Sequence, residues 1–394
     1  MTSLHRFIHF KYLNDLYGFE VGDEILCDFA EFLTAIGNPI NNLTARIAGD
    51  EFVALVSIGH IADPIECISS INEEYCIQKN EKYPLANLII RTGIYFLNSG
   101  DNAIMAIDRA NTARKSLEHL TKCEVSIFDD KMLKRLNFEL EMSRSMRSAL
   151  KNNEFVAFLQ PKTDIITNKI IGAEALVRWF RKDGSIVPPN EFIPYFERNG
   201  FVTEVDFNIF MQVVKLLSEW LKSGHPVVPI SVNLSRVNAR EFDLADKIIE
   251  IVKDHNVPPK LIEFEITETT FGNIDANFIG IVKQLQDYGF SIDIDDFGSG
   301  YSSLNMLSEV PADIIKIDKA LLTRSLESPK KAEIIRHIVD MAVAIDYDVI
   351  CEGVETKEEV DFLKTIGCTK VQGYYFAKPM PIADFDKMLV ENLK

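Results

Sequence analysis

Positive charge is scarce in this 394-residue chain: 42 Lys and Arg stand against 59 Asp and Glu, a formal net charge of -17. That balance argues against a sequence-independent grip on duplex nucleic acid, which displaces counterions with clustered cations. An anionic substrate would need local help from a metal ion or from buried cations. The six cysteines, Cys27, Cys67, Cys76, Cys123, Cys351 and Cys368, are scattered and form no CxxC pair. Neither a zinc knuckle nor a disulfide framework is suggested, which fits a reducing cytoplasm. No apolar run approaches the ~20 residues of a membrane span. The opening MTSLHRFIHFKYLND has no signal-peptide core. The expectation is a cytoplasmic chain, with any membrane attachment belonging to a longer parent.

What is present, 47% hydrophobic and 26% charged residues, is ordinary for globular protein and enough for two domains, each with its own core. Apolar spacing is helical over 22–35, and LTARIAGDEFVALVS reads as two strands around a tight Ala48-Gly49-Asp50 turn. A strand over 88–97 and a helix through the 100s and 110s complete a small α/β unit, taken as 1–129. The stretch 130–151 is charged, free of Gly and Pro, and helical in period. It reads either as a connector or as the first helix of a second domain, 152–394.

Beyond Glu154 short apolar strands alternate with amphipathic helices such as 243–253 and 332–345. FVAFLQ, IIGAEALVRW, VVPISVNLS, LIEFEITE, FSIDIDD, ADIIKIDK, DVICEGVE and KVQGYYF make about eight strands in about 240 residues, the pattern of a (β/α)8 barrel. A doubly wound open sheet would want a Gly-rich first turn for phosphates, and none is there.

Each strand ends in a polar residue: Glu174 after IIGA, Asn233 after PISV, Glu265 after LIEF, Asp295 and Asp296 after SIDI, Lys316 after ADII, Glu352 after DVIC and Gln372 after KV. One acidic strand end is usually a cap or a solvated loop residue. In a barrel, however, these ends share one face, where so many carboxylates would repel one another unless cations neutralised them. Oxygen ligands without histidine select Mg²⁺ or Mn²⁺ over zinc. The adjacent Asp295 and Asp296 suit a carboxylate that bridges two ions in a two-metal phosphodiester site. Lys316 either orients the attacking water or forms a structural ion pair.

GAEALVRW, with Glu174-Ala175-Leu176, resembles the signature of the EAL family of cyclic di-GMP phosphodiesterases. The resemblance continues in order through LQPK, SVNLS, FEITE, DDFGSGYSSL, IKIDK, EGVET and QGYYFAKP, over 154–394. It implies a modified TIM-like barrel that opens cyclic di-GMP to linear pGpG. By the same resemblance Glu174, Asn233, Glu265 and Asp295 hold one ion, and Asp295 with Asp296 helps hold a second. Lys316 and Glu352 attend the water, with Glu174 counted among the catalytic groups. Gln160, Arg178 and Gln372 bind substrate, Arg178 through phosphate. Glu268 and Glu355 resemble supporting positions behind the ligands, with Glu268 holding the loop that contains Gly298 and Gly300. That loop implies a homodimer through the barrel, and the metal preference implies inhibition by Ca²⁺. Leu159 stands where the family often has Tyr. A catalytically inactive cyclic di-GMP receptor is the alternative; such receptors typically lose an acid or the loop motif, and this chain has lost neither.

FKYLNDLYGFEVGDEIL and ARIAGDEFVAL, within 9–128, are similar to the GGDEF domain of diguanylate cyclases. Here the departures weigh more than the match. Arg6 occupies the position of a metal-binding Asp, and Ala48 puts a Cβ where the backbone meets nucleotide. PINN replaces the inhibitory RxxD, and Glu118 stands where a phosphate-binding Lys is expected. The first strand and helix are expected to be missing. The implied domain is truncated, degenerate and without cyclase activity. Asn14 and Asp23 survive at guanine-contacting positions, so weak GTP binding is left open, beside the favoured reading of a structural, dimerising or regulatory remnant.

Overall fold

The computed structural model describes residues 1–35, 43–57, 63–117, 122–235, 243–267, 276–298, 307, 310–325 and 328–392. They fall into two units, Met1–Met142 and Ser143–Lys394, and the boundary lies inside one helix, Asp130–Lys151.

In the first unit β1 (Thr2–Ile8) runs through the middle of a five-stranded sheet of order β2-β3-β1-β4-β5, with β2 Leu43–Ala48, β3 Glu51–Leu55, β4 Ile89–Tyr95 and β5 Glu124–Ile127. The expected absence of a first strand is therefore corrected: the leading residues themselves supply the central strand. Its apolar period is hidden because Ser3 and His5 are buried along with Leu4. They are tolerated inside because each finds a partner. The His5 ring contacts Ser3 Oγ at 3.0 Å and Thr92 Oγ1 at 2.8 Å, and Asn72 Nδ2 donates to Thr92 Oγ1 at 2.8 Å. Helices α1 (Phe10–Tyr17), α2 (Phe19–Ala35), α3 (Pro64–Lys82) and α4 (Ala103–Lys115) complete the unit. Phe7, Phe29, Phe52 and Tyr75 are buried together in its core.

The second unit opens with two long strands, β6 (Phe155–Asp164) and β7 (Lys169–Phe180), separated only by residues 165–168. Asp164 Oδ1 accepts from the Ile166 and Thr167 amides at 2.9 and 2.8 Å, which folds the link into a turn. A connection this short cannot make a parallel crossover, so β6 pairs antiparallel with β7. After the short β8 (Ile186–Val187), longer connections return each strand parallel: β9 (Ile230–Asn233), β10 (Ile262–Thr267), β11 (Ser291–Phe297), β12 (Ile314–Ile317), β13 (Asp348–Cys351) and β14 (Lys370–Gln372). β14 then pairs antiparallel with β6, which also carries β15 (Met380–Pro381). The ring β6-β14-β13-β12-β11-β10-β9-β7 closes into an eight-stranded barrel, modified by one reversed strand. Ile230, Ile262, Ile292, Ile315 and Ile317 are fully buried, as expected of parallel strands covered on both faces. Among the described residues no helix is long and apolar enough to cross a membrane.

Candidate active site

Strand register brings the predicted side chains to one end of the barrel. Gln160 faces Glu174 across β6 and β7, Asn233 pairs with Glu265 across β9 and β10, and Thr267 pairs with Asp295 across β10 and β11. The β11–β12 register then shifts between Ile294 and Phe297, and Asp296 has φ 56. A bulge of this kind re-aims side chains, here the Asp295-Asp296 pair, at the rim of the barrel. Gly298 follows at φ 93, where an added Cβ would come within 2.9 Å of Leu321 Cδ2, so glycine is required on both counts.

Lys316 lies at the centre of these acids. Its Nζ is 2.6 Å from Glu352, 2.8 Å from Glu265, 3.1 Å from Asp295 and 3.5 Å from Glu174, and the residue is fully buried. Carboxyl oxygens of Asp295, Asp296 and Glu352 lie within 4.8 Å of one another. Gln372 Nε2 donates to Glu174 Oε2 and, at 3.1 Å, to Gln160 Oε1, while Gln160 Nε2 reaches Ala377 O at 3.1 Å. Among the described residues the polar contacts of the Glu265 side chain fall on Oε1: Ser231 Oγ at 2.5 Å, Lys316 at 2.8 Å and a second lysine, Lys162, at 3.5 Å. Glu265 Oε2 is buried without a hydrogen-bond partner among the described residues. An orphaned carboxylate oxygen amid an oxygen-only donor set fits a hard divalent cation.

The electrostatics follow from burial. Desolvation, reinforced by Glu265, pushes the Glu174 carboxyl well above its usual range. Desolvation with Asp295 nearby puts Glu352 at about 7 and Asp296 at about 6. Glu265 is just as buried, but Lys316 and Lys162 outweigh desolvation and bring it down to about 2. Raised acids make the folded state bind more protons than the unfolded one. Without metal, barrel stability should therefore fall as pH rises from the ordinary carboxylate range, roughly pH 4.5, to about 7. Protons compete with a cation for the same oxygens, so the Mg²⁺-induced rise in Tm should be larger at about pH 8 than at about pH 5.5. Thermal melts with EDTA or Mg²⁺ at both pH values check this; an equal Mg²⁺ effect at both would refute it.

Beside the acids a cavity of about 470 Å³ is lined by Arg178, Asn233, Glu265 and Thr267 and also by Glu197 and Asp206. Arg178 holds its guanidinium over the Phe158 ring at 5.6 Å, with Nη1 donating to Val177 O at 2.8 Å. Asp206 accepts from Ser235 Oγ, and its carboxyl is pushed up to about 7 by burial. Lys162, Glu197 and Asp206 are functional candidates that strand-end reasoning missed. Asp206 and Glu197 sit on helices, at places where an acid looks like a surface residue.

Not every expected residue joins the cluster. Glu355 is exposed and paired with Lys319. Glu268, Gly300 and Glu118, with Pro39 and Asn42 of PINN, lie outside the described residues. In the first unit Asn14 and Asp23 line a cleft of about 610 Å³ with Arg6, Lys11, Arg46, Arg91 and Arg114. The Arg6 guanidinium takes up both nearby acids, Asp50 at 3.5 Å and Glu51 at 3.4 Å. An added Cβ at Gly22 would fall 2.0 Å from Asn14 Oδ1, so glycine is what admits that amide.

Comparison with known families agrees with this geometry. The EAL domain family matches residues 143–379, and the family described as diguanylate cyclase, GGDEF domain, matches 4–122. The bifunctional diguanylate cyclase/cyclic di-GMP phosphodiesterase MucR of Pseudomonas aeruginosa is 29% identical over 377 residues, 94% of this chain and 54% of that protein. The cyclic di-GMP phosphodiesterase PdeR of Escherichia coli is 29% identical over 394 residues, 98% of this chain and 58% of that one. The chain spans about half the length of the curated relatives it matches. A solved structure of the PaMucR phosphodiesterase in complex with c-di-GMP has TM-score 0.58 at 31% identity, covering 62% of this chain and 99% of that one. The EAL enzyme Bd1971 with cAMP and cyclic di-GMP bound has TM-score 0.60 at 26% identity, covering 74% and 77%.

Proposed function

Because the chain belongs to the EAL domain family and carries a GGDEF domain ahead of its barrel, we propose that it hydrolyses cyclic di-GMP to linear pGpG with Mg²⁺ or Mn²⁺ bound at a two-ion site. The observation that carries this reading is the convergence of Glu174, Glu265, Asp295 and Glu352 on Lys316, beside a cavity into which Arg178 and Asn233 face. Glu174, Asn233, Glu265 and Asp295 would hold one ion, and Asp295 with Asp296 would help hold the other. Bound there, the ions would polarise the phosphodiester and acidify water.

The chain's own groups do the rest. Arg178 offers a charge-assisted donor to phosphate. Asp206 and Glu197 put carboxyl groups into the cavity, suited to accept from the N–H groups on a guanine edge. Lys316 orients the attacking water. Glu352, held at about 7, exchanges a proton at neutral pH and takes one from that water. The front domain is read as inactive in cyclic di-GMP synthesis, because the Arg6 guanidinium stays charged and is paired with Asp50 and Glu51 where a cation would have to bind.

The test is chromatography of the purified chain incubated with cyclic di-GMP. pGpG should accumulate with Mg²⁺ or Mn²⁺, vanish with EDTA and fall with Ca²⁺, whose looser coordination distorts the site. A parallel incubation with GTP should yield no cyclic di-GMP. Tight ligand binding without pGpG under either metal would replace the hydrolase by a receptor.

A further inference from the structure

Below the site lies a second buried lysine that none of the chemistry above uses. Lys162 follows Gln160 by two residues on β6, so both side chains enter the barrel from the same face. It is 2% exposed, and its Nζ lies 2.6 Å from Glu263 Oε2, 3.1 Å from Asp293 Oδ2 and 3.5 Å from Glu265 Oε1. Its β7 neighbour in register is Gly172, where an added Cβ would come within 3.4 Å of Lys162 Cδ and 3.2 Å of Pro229 O. The tighter approach is to the Pro229 carbonyl, while the lysine stem would be in ordinary van der Waals contact.

We propose that Lys162 is a positioning residue for the metal site: from the layer below, with Ser231 and Lys316, it holds Glu265 by Oε1 and so leaves Oε2 turned toward the cation. This rests on the metal-hydrolase reading. The β10 side chains Glu263 and Glu265 share one face, and so do Asp293 and Asp295 on β11. Each strand thus contributes one acid to the Lys162 layer and one to the Lys316 layer, with Glu265 in contact with both lysines. Losing an outer partner of a metal ligand typically weakens metal binding about 10–100-fold. Among the described residues its ion pairs are with Glu263, Glu265 and Asp293, and none is with Arg178, Glu197 or Asp206, the groups proposed to meet substrate.

Calorimetric Mn²⁺ titration of the full chain without substrate tests this. Lys162→Met should bind Mn²⁺ about 10–100-fold more weakly. Its KM for cyclic di-GMP at saturating metal should be unchanged. Lys162→Met also leaves Glu263 and Asp293 without their cation, which would lower stability even if the lysine only balanced charge. The double variant Lys162→Met with Glu263→Gln restores the layer's net charge. It should regain thermal stability while Mn²⁺ affinity stays low. Wild-type affinity in the single variant, or recovery of both stability and affinity in the double variant, would overturn the proposal. A wild-type chain that takes up no Mn²⁺ would overturn the hydrolase reading with it.

Discussion

Glu174→Ala is expected to take cyclic di-GMP turnover down by more than about a hundredfold, beyond the usual cost of losing an outer partner, because it removes a proposed metal ligand itself. Glu174 is buried at the mouth of the barrel, accepts from Gln372 and lies 3.5 Å from Lys316. Burial and the neighbouring Glu265 push its carboxyl upward, so a cation binding there competes with a proton. In paired melts with EDTA and with Mg²⁺ the variant should lose most of the stabilisation that Mg²⁺ gives the wild type. Product chromatography and paired melts check both halves; near-full pGpG formation would show that the site has been placed wrongly.

Lys316→Met should be the most destabilising single change in the metal-free barrel. The ammonium contacts Glu174, Glu265, Asp295 and Glu352 from full burial. Removing one partner of a buried ion cluster costs about 3–5 kcal/mol. For a domain of this size that is a fall in Tm of roughly 10 °C. The loss should be larger at about pH 8 than at about pH 5.5, because Glu352 and Asp296 become protonated as pH drops through about 7 and 6, which relieves the repulsion. Mg²⁺ should recover part of it by supplying positive charge. A shift below about 2 °C in EDTA at the higher pH would mean that the cluster does not carry the energetics assigned to it. Turnover should be lost even where stability is recovered, since the group proposed to orient water is gone.

Much of the barrel was legible because its signals are local. Apolar strands with polar ends, spaced by amphipathic helices, predict both the closed sheet and the convergence of Glu174, Asn233, Glu265, Asp295, Lys316, Glu352 and Gln372 at one end. The reversal of β6 was available in principle, since residues 165–168 are too few for a crossover. The central β1 of the first unit was not, because Ser3 and His5 break the period that usually marks a strand. They are buried only because partners distant in sequence satisfy them: Ser3 Oγ donates to Ala54 O at 3.4 Å, and Thr92 Oγ1, itself held by Asn72, meets the His5 ring.

The sequence by itself determined which residues compose the acidic mouth of the barrel, since side-chain alternation and strand ends are properties of short segments. It also determined the family, through a long ordered series of motifs. Only the tertiary structure decided how those charges coexist. It placed Lys316 among four carboxylates, and it placed Lys162, indistinguishable in sequence from a surface lysine, beneath Glu265. It also separated Glu265, near 2, from Glu352, near 7, although both are buried glutamates at strand ends. The reason is physical: a carboxylate's charge state depends on desolvation and on the distance to cations carried by other strands. Those distances exist only once the barrel has closed.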